Sequence, residues 1–186
     1  INLDTHISDI VNVIKWESLT NVCLVAHSSA GFAPSGALEK IGDRVSSIVW
    51  LDAFKPENGQ RMRDYMGGPF LEAVTSAADK GEASFPPPAK SSPLMVAEKD
   101  AAFVQSKTTP QPLGTVLQAI KLSGARDKVA KKTYIRVPRL PHPALNKALA
   151  ECKADKSWST FELTDAGHIA MLDAPERLAE LLLQTA

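Results

Sequence analysis

Two short runs carry side chains able to perform nucleophilic chemistry: Ala26-His27-Ser28-Ser29-Ala30-Gly31 and Asp165-Ala166-Gly167-His168. A serine hydroxyl is a weak nucleophile until a neighbouring base takes its proton, and imidazole suits that task near neutral pH. The serine run follows an apolar stretch, Val22-Cys23-Leu24-Val25-Ala26, and precedes a helix-like one. At such a sharp strand-to-helix turn, bulk two residues before or after the nucleophile collides with neighbouring backbone. Framed on Ser28, those positions are Ala26 and Ala30; framed on Ser29, they are His27 and Gly31, and His27 is too large. Ser28 is therefore the expected nucleophile. The backbone N–H of Ser29, at the start of the following helix, is an expected donor to a substrate oxyanion. A serine pair can instead simply cap a helix. His168 weighs against that reading, because it follows the last predicted strand, and a histidine on that loop returns to the serine in this fold order. It is the expected general base.

Other conspicuous side chains have plainer expected roles. His6 falls on a helical segment and His142 in a Pro-rich loop, so both are expected to be solvated, and His27 to shape the turn. Trp50, Phe54, Phe103, Leu117 and Met171 could line an apolar acyl pocket, although such residues more often fill cores. Phe54 and Met171 are the pocket residues carried forward.

The elements that must position these groups follow a strand–helix alternation. Ile7, Ile10, Val11 and Ile14 recur at helical spacing behind Asp4 or Thr5 as cap. Residues 22–26 form a short continuous apolar run, expected as a strand buried on both faces. A helix over about residues 29–40, stopped by Gly42, leads to a second strand over residues 45–51, which makes a βαβ unit. From Phe54 to about Lys131, Pro56, Gly67-Gly68-Pro69, Pro86-Pro87-Pro88 and Pro110-Gln111-Pro112 separate short helix-like pieces. That stretch is expected to cover the sheet as a helical lid; the alternative is a surface loop or a ligand for a Pro-binding module. The parallel pattern resumes with strands over residues 133–137 and 160–163 and a final helix over about residues 175–184. The expected fold class is α/β, a mostly parallel sheet flanked by helices. It divides into core residues 1–53, lid residues 54–131 and core residues 132–186.

Composition bounds the function classes. Lys plus Arg and Asp plus Glu both number 21, so the overall charge implies neither a phosphate-tracking surface nor an acidic-substrate trap, and nucleic acid is not an expected partner. No apolar stretch reaches the roughly 20 residues that span a bilayer, so no membrane partner is expected. Cys23 and Cys152 lack metal-ligand spacing, and no metal or organic cofactor is expected; a reducing cytoplasm is the expected compartment.

The run Leu24-Val25-Ala26-His27-Ser28-Ser29-Ala30-Gly31 resembles the nucleophile elbow of small α/β-hydrolase esterases akin to plant salicylate methyl-ester esterases and hydroxynitrile lyases. Val49-Trp50-Leu51-Asp52-Ala53-Phe54-Lys55-Pro56 and Gly167-His168-Ile169-Ala170-Met171-Leu172-Asp173-Ala174-Pro175-Glu176 are similar to bacterial members of that group. The resemblance covers nearly the whole chain and implies an α/β-hydrolase fold that cleaves a small ester through an acyl-enzyme on Ser28. Many relatives carry the third triad member on the loop after the strand at residues 133–137. Here that loop reads Pro138-Arg139-Leu140-Pro141-His142-Pro143 and holds no carboxylate. Asp52, at the end of the strand after the elbow, is then the expected acid, since some relatives place it there. Asp165 is expected to shape a turn and Asp173 to sit near the start of the last helix.

The same resemblance implies that the family's first strands and its glycine-containing oxyanion loop lie ahead of Ile1. The elbow strand is therefore expected to show an open edge, completed by an N-terminal fragment or a companion chain. Two alternatives to ester hydrolysis stand beside it. A relative that binds a small ligand without turnover keeps the pocket, and a hydroxynitrile lyase relies on a lysine next to the histidine, where this chain has Ile169.

Overall fold

The computed structural model describes residues 1–87 and 95–186. Leu3, Ile7, Val11 and Ile14 form one buried stripe along α1 (Leu3–Trp16), the 3.6-residue period placing them on a single face. The cap is neither Asp4 nor Thr5 but Asn2. Its Oδ1 accepts the Thr5 N–H at 3.0 Å, and Thr5 Oγ1 accepts the Asn2 N–H at 3.2 Å. This reciprocal box satisfies two helix-end donors and moves the start ahead of the expected position.

Strand β1 (Val22–His27) follows, then a single tight turn at Ser28–Gly31 and helix α2 (Phe32–Ile41). The expected helix thus begins a turn late, because residues 28–31 are needed to reverse direction. Strand β2 (Val45–Leu51) completes the βαβ unit. The intervening stretch holds α3 (Gly68–Asp79), a two-residue strand β3 (Ser84–Phe85), α4 (Glu98–Lys107), β4 (Gln111–Pro112) and α5 (Leu113–Leu117). β3 and β4 pair antiparallel, a ribbon too short to leave a sequence signal. Pro88, last of the triple-proline run, lies outside the described residues. The core resumes with β5 (Lys131–Arg136), α6 (Pro143–Ala154), β6 (Trp158–Glu162), α7 (Ala170–Asp173) and α8 (Pro175–Thr185).

The four longer strands form one parallel sheet in the order β1-β2-β5-β6. Alternation along β2 sends Ile48 and Trp50 into a core shared with α1, α2 and α6, and Val49 and Leu51 into a second core against α8. β2 and β5, the two central strands, are buried on both faces. β1, expected to be so, is an edge strand: it pairs only with β2 among the described residues, and Val25 is 41% exposed. The stripe of α1 packs against α2, where Gly36 admits the Ile7 side chain; a Cβ there would lie 2.3 Å from Ile7 Cδ1. Among the described residues no helix is long and apolar enough to cross a membrane.

Candidate active site

All parallel strands end at one edge of the sheet, where open α/β sheets place their ligand crevices. β1 delivers Ser28 and β2 delivers Asp52, each one residue past its strand. Both residues adopt left-handed backbone, Ser28 at φ 58° and Asp52 at φ 44°. Non-glycine residues seldom occupy that region and persist there only when their surroundings impose it.

Those surroundings are a set of hydrogen bonds around the loop that follows β2. The Asp52 N–H donates to Ile135 O at 2.7 Å and the Phe54 N–H to Ser28 O at 3.0 Å. The Trp50 indole N–H donates to Phe54 O at 3.0 Å, and the Tyr134 hydroxyl to Ala53 O at 2.9 Å. Both aromatic residues are fully buried, and Trp50 meets the Trp158 ring edge-on at 6.5 Å. The buried polar ends of core aromatics thus fix the loop.

His168 arrives on the loop between β6 and α7. Asp173 holds that loop, accepting the Gly167 N–H at 2.7 Å on Oδ2 and the Ala97 N–H at 2.9 Å on Oδ1. The Ile169 N–H donates to Met95 O at 2.7 Å. Gly167 has no room for a side chain, since a Cβ would lie 2.7 Å from Asp173 Oδ2 and 3.0 Å from Met95 backbone.

The three side chains meet in a relay. His168 Nδ1 lies 2.6 Å from Asp52 Oδ2, and His168 Nε2 lies 2.7 Å from Ser28 Oγ. The carboxylate can only accept, so Nδ1 carries the ring proton and Nε2 is left to accept the serine proton. Asp52 is completely buried and His168 nearly so. Asp165 is exposed and Asp173 serves the loop, so Asp52 is the acid in contact with the histidine. On its other oxygen Asp52 accepts the Val137 N–H at 3.0 Å and Arg136 Nη1 at 2.5 Å.

His27 lies under the relay, its ring 4.6 Å from that of His168. Its Nε2 donates to His168 O at 2.8 Å. Burial, reinforced by the neighbouring His168, lowers the His27 pKa from 6.5 to about 4, so it remains neutral at physiological pH.

Ser28, Ser29 and His168 border a cavity of about 590 Å³ whose walls include Phe54, Phe70, Phe85, Met95, Leu140 and His142. Such size and apolar lining suit a small organic molecule. Phe54 stands in this wall as expected. Met171 does not: it projects from the outer side of α7, 39% exposed, because the short helix turns Ala170 inward instead. Met95 occupies the wall in its place, from a stretch with no legible pattern. Trp50 belongs to the core, Leu117 packs beside it, and Phe103 is 55% exposed. His142, expected to be solvated, is half-buried and lies 5.2 Å from the Phe54 ring. Its pKa is lowered, first by burial and then by Arg136. Tyr65 packs on Phe54 at 5.0 Å, and burial raises its hydroxyl pKa to about 12. His6 lies on α1 as expected and borders a second cleft that Ser29 also lines. Among the described residues no three His, Cys, Asp or Glu side chains gather as a metal site, and both cysteines are free.

The sequence pattern of the alpha/beta hydrolase family matches residues 2–181. The chain belongs to that family. This α/β-hydrolase is 28% identical over 191 residues to a carbendazim hydrolyzing esterase of Nocardioides sp. (strain SG-4G), covering 98% of the chain and 78% of that relative. It is 24% identical over 182 residues to a putative chloroplastic methylesterase 14 of Arabidopsis thaliana, covering 89% of the chain and 52% of that protein. Among solved structures, the hydrolase superposes with a TM-score of 0.81 on an extracellular α/β-hydrolase from a Paenibacillus species, itself described as sharing structural and functional homology with tobacco salicylic acid binding protein 2. The identity there is 20%, over all of this chain and 80% of the other. A methylesterase from Arabidopsis gives a TM-score of 0.67 at 19% identity, over 98% of this chain and 77% of that one. The matched lengths place the whole α/β arrangement within the family fold.

Proposed function

We propose that this α/β-hydrolase cleaves small carboxylic esters through an acyl-enzyme on Ser28. The observation that carries the reading is the relay from Asp52 through His168 to Ser28, at 2.6 and 2.7 Å, bordering an apolar cavity. The named activities of the two relatives, an esterase and a putative methylesterase, support the same class.

In the proposed reaction Ser28 Oγ bonds to the ester carbonyl carbon as its proton passes to His168 Nε2. The carbonyl electrons move onto oxygen, where the Ser29 N–H is a proposed donor. The oxyanion then collapses, the bond to the alcohol oxygen breaks, and His168 returns the proton to the departing alcohol. Water, deprotonated by His168, attacks the acyl carbon, releases the acid and restores Ser28. Asp52 keeps the imidazole in the required tautomer and stabilises the imidazolium. Ile169 supplies no charge beside the histidine, so the residues do not favour cyanohydrin cleavage.

Two structural assignments accompany this reading. Residues 54–131 are proposed to act as a lid, because Phe70, Phe85 and Met95 from that stretch wall the cavity. The open edge of β1 is proposed to accept a further strand, from a preceding segment or a companion chain, which would bury Val25.

The test is hydrolysis of a short-chain p-nitrophenyl ester, with fluorophosphonate labelling alongside. Turnover and a covalent adduct at Ser28, both lost in Ser28→Ala and His168→Ala, are expected. A folded protein that takes up the ester reversibly, with neither turnover nor adduct, would instead establish a binding protein. A single unaccompanied species of 20.0 kDa that is monomeric and active would rule out the companion strand.

A further inference from the structure

We propose that Arg136 is a positioning residue for the acid, fixing the Asp52 carboxylate so that Oδ2 stays on His168. This inference rests on the reading of Ser28, His168 and Asp52 as an ester-cleaving relay.

Asp52 reaches His168 from the end of β2, while the end of β5 contributes Arg136 and Val137. The carboxylate is completely buried and has two oxygens to satisfy. Oδ1 accepts Arg136 Nη1 at 2.5 Å and the Val137 N–H at 3.0 Å, which leaves Oδ2 to His168 Nδ1 at 2.6 Å. Such a division defines which oxygen faces the imidazole and in what plane. Take the guanidinium away and only the Val137 N–H remains on Oδ1, so the carboxylate loses the stronger, charged donor that opposes its rotation.

The guanidinium cannot move to follow a wandering carboxylate, because its other donors are committed. Nε and Nη2 both reach Asn146 Oδ1, at 3.1 and 2.8 Å, Nη1 also donates to Val137 O at 2.5 Å, and Nη2 to Leu140 O at 2.6 Å. Arg136 is 1% exposed, so its charge is not dissipated in water. Its anchors lie on the loop after β5 and on α6, which ties the acid's orientation to those two elements. A buried ion pair can also be structural only, and such pairs are often replaceable by apolar side chains. The two roles differ in what the pair does to His168.

The experiment compares Arg136→Met, Arg136→Lys, Asp52→Asn and the double variant Arg136→Met/Asp52→Asn with wild type. Two readouts are used: ester kinetics, and the far-downfield proton NMR signal of the His168 Nδ1–H. Arg136→Met is expected to lower kcat roughly 100-fold with KM within about threefold, and Arg136→Lys to recover at least about tenfold of that loss. In the double variant Arg136→Met should add almost nothing to the Asp52→Asn defect, because it acts through Asp52. The downfield signal should broaden or shift in Arg136→Met and persist in Ser28→Ala. A folded Arg136→Met with wild-type kcat and an unchanged signal overturns the proposal and leaves a structural pair. If Arg136→Met does not fold, Asn146→Ala decides: it frees the far side of the guanidinium, and kcat should fall about three- to tenfold, whereas no change in kcat or in the signal overturns the proposal. A wild type without esterase activity whose downfield signal still depends on Arg136 removes the ester-hydrolase reading and keeps the positioning role.

Discussion

Gly31 and Phe54 are in backbone contact: a Cβ placed on Gly31 would lie 1.9 Å from the Phe54 carbonyl oxygen. That contact docks the start of α2 onto the loop bearing Asp52, while the Phe54 N–H bonds to Ser28 O. The turn that presents the serine and the turn that presents the acid are therefore one packed unit. Gly31→Ala must push them apart, and overpacking of this kind costs about 1–3 kcal/mol. The expected result is a lower urea midpoint and at least a tenfold drop in kcat. Gly42→Ala is the control, since a Cβ there meets nothing within 4 Å and its φ is −57°. It should leave both quantities unchanged or raise the midpoint slightly.

Asp52→Asn separates charge from shape at the acid. The amide can still fill the site, but it no longer obliges His168 Nδ1 to carry the proton, and it leaves the buried Arg136 without its counter-ion. Loss of kcat by roughly 10³- to 10⁴-fold is expected from the wrong tautomer. Stability should also fall, by about 3 kcal/mol or more, because one partner of a buried pair remains. Kinetics normalised to the folded fraction from urea titration distinguish the two effects. A folded variant with wild-type kcat would remove Asp52 from the reaction.

That Ser28, His168 and Asp52 come together was legible because each follows a strand end in an ordered series, and strand ends announce themselves through apolar runs broken by small or polar residues. The four strands of the parallel sheet were legible for the same reason, to within a few residues at their ends. What could not be read depends on contacts between distant segments. Met95 reaches the cavity only because Asp173 and Ile169 hold residues 95–97 against the His168 loop. His142 looks like a solvated loop histidine until Phe54 is folded against it. Arg136 resembles any strand-end cation, and its ion pair with Asp52 requires β2 and β5 to be neighbours. Met171 misled through local reasoning: proximity to His168 in sequence says nothing about which face of a four-residue helix turns inward.

The histidine beneath the relay gives a pH signature. His27 has a folded-state pKa of about 4 against 6.5 in the unfolded chain, mainly through burial and secondarily through His168. Above about pH 6.5 both states are neutral and the folded protein keeps its full stability. As pH falls from there towards 4 the unfolded chain binds the proton first, so stability is lost, by at most about 3 kcal/mol from this group. His142, also lowered, acts in the same direction. Urea unfolding at pH 7, 5.5 and 4.5 should show a shallower decline in His27→Gln than in wild type. An identical decline would mean that His27 does not set the acid sensitivity.

Asp173 is expected to matter for activity although it touches neither Ser28 nor His168 in the relay. It accepts two backbone N–H groups, from Gly167 and Ala97, and so joins the histidine loop to the cavity wall. Asp173→Ala leaves both donors without that acceptor, at about 1–3 kcal/mol. It should lower kcat about tenfold through a loosened His168 and raise KM through a displaced Met95. An effect on stability alone, with unchanged kinetics, would show that the His168 loop holds its place without this clamp.

Phe54 and Met171 make opposite predictions from similar chemistry. Phe54 is 8% exposed, lines the cavity, and packs against both Tyr65 and His142. Truncation to alanine removes apolar surface from the wall and leaves Tyr65 and His142 without their common neighbour. Phe54→Ala is expected to raise KM for a p-nitrophenyl ester roughly tenfold or more and to cost about 3 kcal/mol in stability. Met171 faces outward, so Met171→Gln should change kcat and KM by less than about twofold and leave the unfolding midpoint within about 0.5 kcal/mol. Kinetics and urea titration on the two variants side by side check the assignment. A large KM effect from Met171→Gln would place the substrate on the outer face of α7, away from the cavity beside Ser28.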